Sequence, residues 1–278
     1  MIFVSIIMPV FNGSNFLEES IHSVLSQSYK YFEFIIINDA STDNTLDILN
    51  DYKTLDKRIK IINNSSQLGI AESLNIGINN SKGKYIARID ADDIWEPQKL
   101  SIQINFLKKD PNLVFVFTDY IYINHEGKEI ENIKNKNKRL LLGNIYKNIL
   151  KKNFIVHSSV IFRKETVFYL GLYNNEYKNT EDYELWIKFF ASPYKIKIIK
   201  KKLVKYRIHS NMISKTRRKE QYKYLIRAKL LGFRLLGFHI SYMPYFINDI
   251  IYYLIPDSLF SFIHDVKILI SIKKKKQP

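Results

Sequence analysis

The chain has 278 residues, 46% apolar and 14% aromatic, which is enough for the packed core of one or two domains and excludes a disordered chain. It has no cysteine, which excludes disulfide scaffolds, thiol nucleophiles and Cys-ligated zinc. The net charge of +16 is unevenly spread: residues 1–130 carry 12 basic and 17 acidic side chains, residues 131–278 carry 31 and 10. The first part suits a cation or a carboxylate mechanism, the second an anionic partner.

The apolar stretch from Met1 to Phe11 lacks the basic flank and the cleavage site of a secretory signal. Val4 to Val10 therefore reads as a buried strand ending at the turn pair Asn12-Gly13. Asn15 is placed to cap a helix with Phe16, Leu17, Ile21, Val24 and Leu25 on its apolar face. Phe32 to Ile37 predicts a second strand that ends in Asn38-Asp39, and a helix through Leu46 and Leu49 follows. Ile59 to Ile62 is a third strand, Ala71 to Asn79 a third helix and Gly83 to Ile89 a fourth strand, which runs into Asp90-Ala91-Asp92-Asp93. Strands alternating with helices predict an α/β fold, a mostly parallel, Rossmann-like sheet flanked by helices.

Farther along, Leu113 to Phe117 reads as a strand, with Tyr120 to Ile123 continuing toward a turn at His125 to Lys128. Phe154 to Phe162 reads as a strand, Asn132 to Arg139 as an exposed loop, and Thr180 to Phe190 as a helix opening on acids. From Lys195 to Arg234 there are fifteen basic residues and one acid, Glu220. The remainder is amphipathic helical material rich in aromatics that closes on Lys273 to Lys276, with apolar runs too short to span a bilayer. Residues 216–278 thus form a basic, helical C-terminal extension. Its mixture of lysines and aromatics suits an anionic membrane surface. No nucleic-acid-binding motif accompanies the charge, and the acidic first half argues against nucleic acid as a partner.

In parallel sheets, ligands bind beyond the carboxyl ends of the strands. Asn12, Asp39, Asp90, Asp92 and Asp93 all fall there, with no glycine-rich dinucleotide or P-loop fingerprint. Three carboxylates within four residues repel one another unless a cation neutralises them, and hard divalent ions take oxygen ligands of this kind. The competing reading is an acidic loop that caps the next helix. Asp39 is suited to accept a hydrogen bond from a base N–H or a ribose hydroxyl, or to form an Asx turn; Phe11 is suited to stack on a base or to fill a core.

Read together, Val4-Ser5-Ile6-Ile7-Met8-Pro9-Val10-Phe11-Asn12, Ser23-Val24-Leu25-Ser26-Gln27-Ser28 and Ile37-Asn38-Asp39-Ala40-Ser41-Thr42-Asp43 resemble the opening of the family 2 glycosyltransferases. Leu68-Gly69-Ile70-Ala71, Leu74-Asn75-Ile76-Gly77 and Tyr85-Ile86-Ala87-Arg88-Ile89-Asp90-Ala91-Asp92-Asp93 continue the resemblance, which spans about residues 2–215. It implies a GT-A fold over 1–215, with a nucleotide-binding half (1–110) and an acceptor-side half (111–215). It also implies a nucleotide-sugar donor (usually a UDP-sugar), a divalent metal, Mn²⁺ or Mg²⁺, and inversion at the anomeric carbon.

Carried over residue by residue, the resemblance gives Pro9, Phe11 and Asn12 to the nucleoside pocket and Asp39 to the base. Arg88 falls near the sugar or orients Asp90, with a structural salt bridge as the equal alternative. Asp90 matches the first acid of the D-x-D motif and would bind ribose or donor hydroxyls. Asp92, the second, is the first choice of metal ligand, and Asp93 could substitute for either. Thr180-Glu181-Asp182-Tyr183-Glu184-Leu185-Trp186 resembles the family's acidic pair, with Asp182 as general base and Trp186 as core. His209, after Tyr206-Arg207, either completes the metal shell or is an exposed histidine; His157-Ser158-Ser159 resembles a motif near the acceptor side, against the reading of His157 as a structural histidine at a strand. The implied acceptor is a glycan or a lipid-linked glycan of surface-polysaccharide synthesis, used at the cytoplasmic face of the membrane. The alternative from another class is a nucleotide-sugar or anionic-glycan binding protein of the same fold without catalysis.

Overall fold

The structure is a computed structural model that describes residues 3–130, 144–209 and 218–256. The expected loop over 132–139 and the Lys273 to Lys276 tail lie outside the described residues.

One sheet organises the fold. Its strands are β1 (Val4–Val10), β2 (Phe32–Asn38), β3 (Ile59–Asn63), β4 (Tyr85–Arg88), β5 (Ile94–Trp95), β6 (Leu113–Ile123), β7 (Ile161–Arg163) and β8 (Lys195–Arg207). Their spatial order is β3-β2-β1-β4-β7-β6-β8-β5. The strands β3, β2, β1 and β4 pair in parallel, as do β6 and β8, whereas β7 runs antiparallel to β4 and β6 and β5 antiparallel to β8. The sheet is α/β and mixed: its first half is the parallel sheet read from the alternating pattern, and the later short strands reverse direction.

The helices are α1 (Leu17–Leu25), α2 (Thr45–Leu55), α3 (Ile70–Asn79), α4 (Lys99–Lys109), α5 (Ile145–Asn148), α6 (Lys164–Tyr169), α7 (Glu181–Ala191), α8 (Arg218–Leu236) and α9 (Met243–Leu254). Side chains alternate across β1, so Ile7 faces one core and Ile6 and Met8 the other. The Ile7 face is covered by Leu74 and Ile78 of α3 and by Leu185, Trp186 and Phe189 of α7; Trp186 is fully buried. The opposite face takes Leu17 and Ile21 of α1, Leu49 of α2 and Leu100, Ile104 and Leu107 of α4. A Cβ on Gly77 of α3 would stand 2.6 Å from Ile7 Cγ2, so this glycine lets α3 lie close on the strands.

Two local expectations differ. Asn15 does not cap α1, whose N-cap position is Phe16 with no side-chain bond; acidic Glu18 and Glu19 in the first turn favour the helix start instead. The run from Phe154 to Phe162 is not one strand: a 3-10 turn at His157–Ser159 interrupts it, and pairing begins only at Ile161. Polar contacts of this turn explain the break, as the site shows.

Candidate active site

The strand order reverses between β1 and β4, so the crevice beyond their carboxyl ends is the topological switch point of the sheet. Asn12 and Ala40, just past β1 and β2, adopt left-handed conformations with φ of 50° and 59°. Such backbone persists where surrounding bonds enforce it. Here the Asn12 side chain accepts from Thr42 N at 2.8 Å while Asn12 N donates to Ser41 Oγ at 3.0 Å, tying the two loops together. Phe11 beside it is 44% exposed, and Pro9 is half-buried within β1.

Asp39 is buried, and its carboxylate anchors the approach to α3. Oδ1 accepts from Asn64 Nδ2 at 2.7 Å and Leu68 N at 2.8 Å, and Oδ2 from Gly69 N at 2.9 Å. A carboxylate oxygen can accept two hydrogen bonds, so Oδ2 keeps capacity for another donor.

Past β4, Arg88 is 1% exposed and forms a two-pronged pair with Asp90, through both terminal nitrogens and both carboxylate oxygens. Asp90 N donates to Ser158 Oγ at 2.9 Å, and Ser158 in turn donates to Asp93. The other oxygen of Asp93 accepts from Arg207 N at 3.0 Å. Asp93 is fully buried and committed to these internal bonds; burial, with Asp92 and Asp90 beside it, holds its carboxyl well above the usual range. The 3-10 turn at Ser158 therefore exists where its hydroxyl can bridge two acids.

Arg207, the last residue of β8, binds the backbone of the acidic loop. Its Nε donates to Asp92 O at 2.9 Å, and its other nitrogens reach His125 O at 2.8 Å and the Glu19 carboxylate. This brings His209, two residues farther on, to Asp92, with Nε2 2.9 Å from Oδ2. Asp90, Asp92 and Asp93 together present carboxylate oxygens within 4.8 Å of one another. With Asp90 held by Arg88 and Asp93 by Ser158 and Arg207, the half-exposed Asp92 and the adjacent imidazole are the pair suited to a divalent ion, an oxygen and a nitrogen donor that fit Mn²⁺.

Across the crevice, α7 begins with Glu181, Asp182 and Glu184 in its first turn, where the helix dipole favours acids. Asp182 is half-buried; its Oδ2 accepts from Asn153 Nδ2 at 3.0 Å and its Oδ1 from Tyr183 N at 2.6 Å. Burial raises its carboxyl to about 6, against the opposing pull of these bonds. His157 lies buried beneath, its Nε2 2.7 Å from the Tyr173 hydroxyl, and burial lowers its basicity well below the usual range.

A cavity of about 820 Å³ joins these groups. Arg88, Asp90, Glu181 and Asp182 line it, together with Tyr222, Lys229, Tyr245 and Tyr252 of α8 and α9. The structure thus brings Arg88, Asp90 and Asp182 to one cavity and Asp92 to His209, while Pro9, Phe11, Asn12 and Asp39 lie on the β1–β2 rim outside its wall. Sequence reasoning missed Asn153, which carries no signal in its neighbourhood. It also gave no role to Ser158 and Arg207, although both lie inside quoted motifs.

Comparison with known proteins agrees with this architecture. The family model for glycosyl transferase family 2 matches residues 5–190, so the chain belongs to that family. Relatives include an uncharacterized glycosyltransferase of Haemophilus influenzae, 36% identical over 229 residues, covering 78% of this chain and 69% of that one. Another, from Methanocaldococcus jannaschii, is 31% identical and covers 98% of this chain and 94% of its own. A putative teichuronic acid biosynthesis glycosyltransferase of Bacillus subtilis, TuaG, is 29% identical over 76% of this chain and 81% of its own. Among solved structures, S. aureus TarS 1-349 in complex with UDP-GlcNAc superposes with a TM-score of 0.68 at 16% identity, covering 89% of this chain and 72% of that one. The mannosyltransferase PcManGT of Pyrobaculum calidifontis, in complex with GDP-Man and Mn²⁺, gives 0.67 at 15% identity, covering 96% and 79%. The fold is thus the GT-A glycosyltransferase fold, and the protein is a family 2 glycosyltransferase.

Proposed function

We propose that the protein is an inverting, metal-dependent transferase that moves a sugar from a nucleotide donor, a UDP-sugar first, to a glycan or lipid-linked acceptor in surface-polysaccharide synthesis. The observation that carries this reading is the shared cavity, lined by both the Arg88–Asp90 pair and the half-buried Asp182. In this scheme residues 1–215 form the catalytic unit, and the nucleoside lies on the rim among Pro9, Phe11 and Asn12. Asp39 Oδ2 accepts from the base, and Asp90, oriented by Arg88, accepts from donor hydroxyls. Asp92 and His209 would hold a divalent ion, Mn²⁺ or Mg²⁺, which would supply positive charge to stabilise the departing diphosphate.

Asp182 accepts the proton of the acceptor hydroxyl as that oxygen attacks the anomeric carbon from the face opposite the nucleotide. A carboxyl held at about 6 is ionised at neutral pH yet basic enough to take a proton during the attack. PcManGT with GDP-Man and Mn²⁺ and TarS with UDP-GlcNAc support a nucleotide-sugar donor, and the likeness to TuaG supports an acceptor of the polysaccharide class. Residues 216–278 would rest on an anionic membrane at its cytoplasmic face. Exposed Ile240, Ile247, Ile251 and Leu254 beside the basic surface support that placement.

The test is transfer by Asp182→Asn. Donor binding is expected to stay within about twofold while turnover falls by about 10²–10⁴. Near-normal turnover would remove Asp182 as base, and binding without any transfer by the native protein would favour a non-catalytic binding role.

A further inference from the structure

Glu181 precedes the proposed base and has no part in the scheme above. Its side chain lines the same cavity, is 5% exposed, and leaves Oε2 without a hydrogen bond. No lysine or arginine pairs with it among the described residues. The charged groups around it are engaged with one another. Arg88 pairs with Asp90 at the end of β4, Glu184 with Lys188 on α7, and the Tyr173 hydroxyl with His157. From α8, which packs on α7, Glu220 accepts from Asn179, Arg227 pairs with Glu176 and Lys229 with Asp249.

Two consecutive carboxyls on one cavity, Glu181 buried and Asp182 half-buried, with no cation dedicated to either, do not both ionise readily. The charge is better placed on Asp182, whose oxygens accept from Asn153 Nδ2 and Tyr183 N, than on Glu181 with its unbonded Oε2. We propose that Glu181 is a positioning residue that holds the proton of this carboxyl pair, leaving Asp182 as its single negative charge when the acceptor hydroxyl arrives. The inference rests on the reading of Asp182 as base.

Burial, with Asp182 beside it, pushes Glu181 up to about 8, and burial raises Asp182 to about 6, so the pair carries one charge between those limits. In transfer Asp182 takes the acceptor proton, the pair then holds two protons, and one returns to water as product leaves.

Carboxyl-¹³C labelling of glutamate and aspartate in the full chain tests this by NMR titration from about pH 4 to 10. The resonance missing from Glu181→Gln is expected to be that of a protonated carboxyl at neutral pH with a midpoint near 8. In that variant the Asp182 midpoint is expected to stay near 6, because one neutral group replaces another, and the acid limb of the rate profile stays with it. A Glu181 ionised at neutral pH, or an Asp182 midpoint that drops in Glu181→Gln, overturns the inference. If Glu181→Gln does not fold, Asp182→Asn serves: the Glu181 midpoint must fall once the neighbouring charge is gone, and an unchanged midpoint overturns the inference. Normal turnover by Asp182→Asn would instead remove the base and leave the proton assignment standing, so the two readings fail separately.

Discussion

At the residue scale, the acids of this crevice differ in what they are bonded to rather than in type. Asp39 accepts three hydrogen bonds, Asp90 pairs with a buried arginine, Asp93 is sealed between Ser158 and Arg207, and Asp182 keeps two modest donors in a half-buried setting. The elevated carboxyls have a consequence for stability. A carboxyl whose folded value exceeds its unfolded one favours the folded state below the unfolded value, and that contribution is lost as pH rises through the folded value. For Asp182 the loss spans from near 3.8 to about 6, and for Glu181 from near 4.5 to about 8. Asp182→Asn and Glu181→Gln are therefore expected to raise the melting temperature relative to the native chain at alkaline pH more than at acid pH. Thermal unfolding across pH checks this, and a difference of the opposite sign would contradict the burial of the pair. The same midpoint gives transfer a rising acid limb centred near pH 6, where Asp182 loses its proton.

At the element scale, the alternation of β1 to β4 with their helices was legible because each strand is a short apolar run and each rim acid follows directly. The thirteen-residue β8 was not legible as a strand. Its period-two pattern of exposed Lys195 and Lys197 against buried Ile196 is present, but six lysines and an arginine make the segment look like a charged surface. The break at His157–Ser159 was hidden for another reason: it depends on Asp90 and Asp93, more than sixty residues away in sequence. Asp92 and His209 were both singled out, yet their contact depends on Arg207 binding the acidic loop, which no local pattern reveals. The packing of α8 on Leu150 and on Ile187 of α7 makes a specific demand, since a Cβ on Gly232 would lie 2.4 Å from Leu150 Cδ2 and 3.4 Å from Ile187 Cδ1. Gly232→Ala is expected to cost about 1–3 kcal/mol in denaturant unfolding, as overpacking does. Unchanged stability would mean that α8 does not sit this close.

At the scale of the whole molecule, the charge is polarised: acids gather at the strand ends, and the basic excess runs through β8 into the C-terminal helices. Among the described residues no helix is long and apolar enough to cross a membrane. Yet α9 has two faces. Tyr245, Asn248 and Tyr252 line the cavity, while Ile247, Ile251 and Leu254 are exposed. A membrane under that exposed face would hold a lipid-linked acceptor next to the cavity. Ile247→Asp combined with Ile251→Asp is expected to weaken co-sedimentation of the full chain with phosphatidylglycerol vesicles without weakening nucleotide binding. Undiminished sedimentation would place any membrane contact elsewhere.

The proposed donor site lies at the switch point of the sheet. Calorimetric titration of the native protein and of Asp92→Asn with UDP, in Mn²⁺ and in chelator, tests it most directly. The expected result is binding that needs Mn²⁺ and weakens about tenfold or more in Asp92→Asn, as loss of a metal-site carboxylate should cause. Folded protein that binds none of UDP, dTDP or GDP in Mn²⁺, or Asp92→Asn that binds as tightly as the native chain, would contradict it.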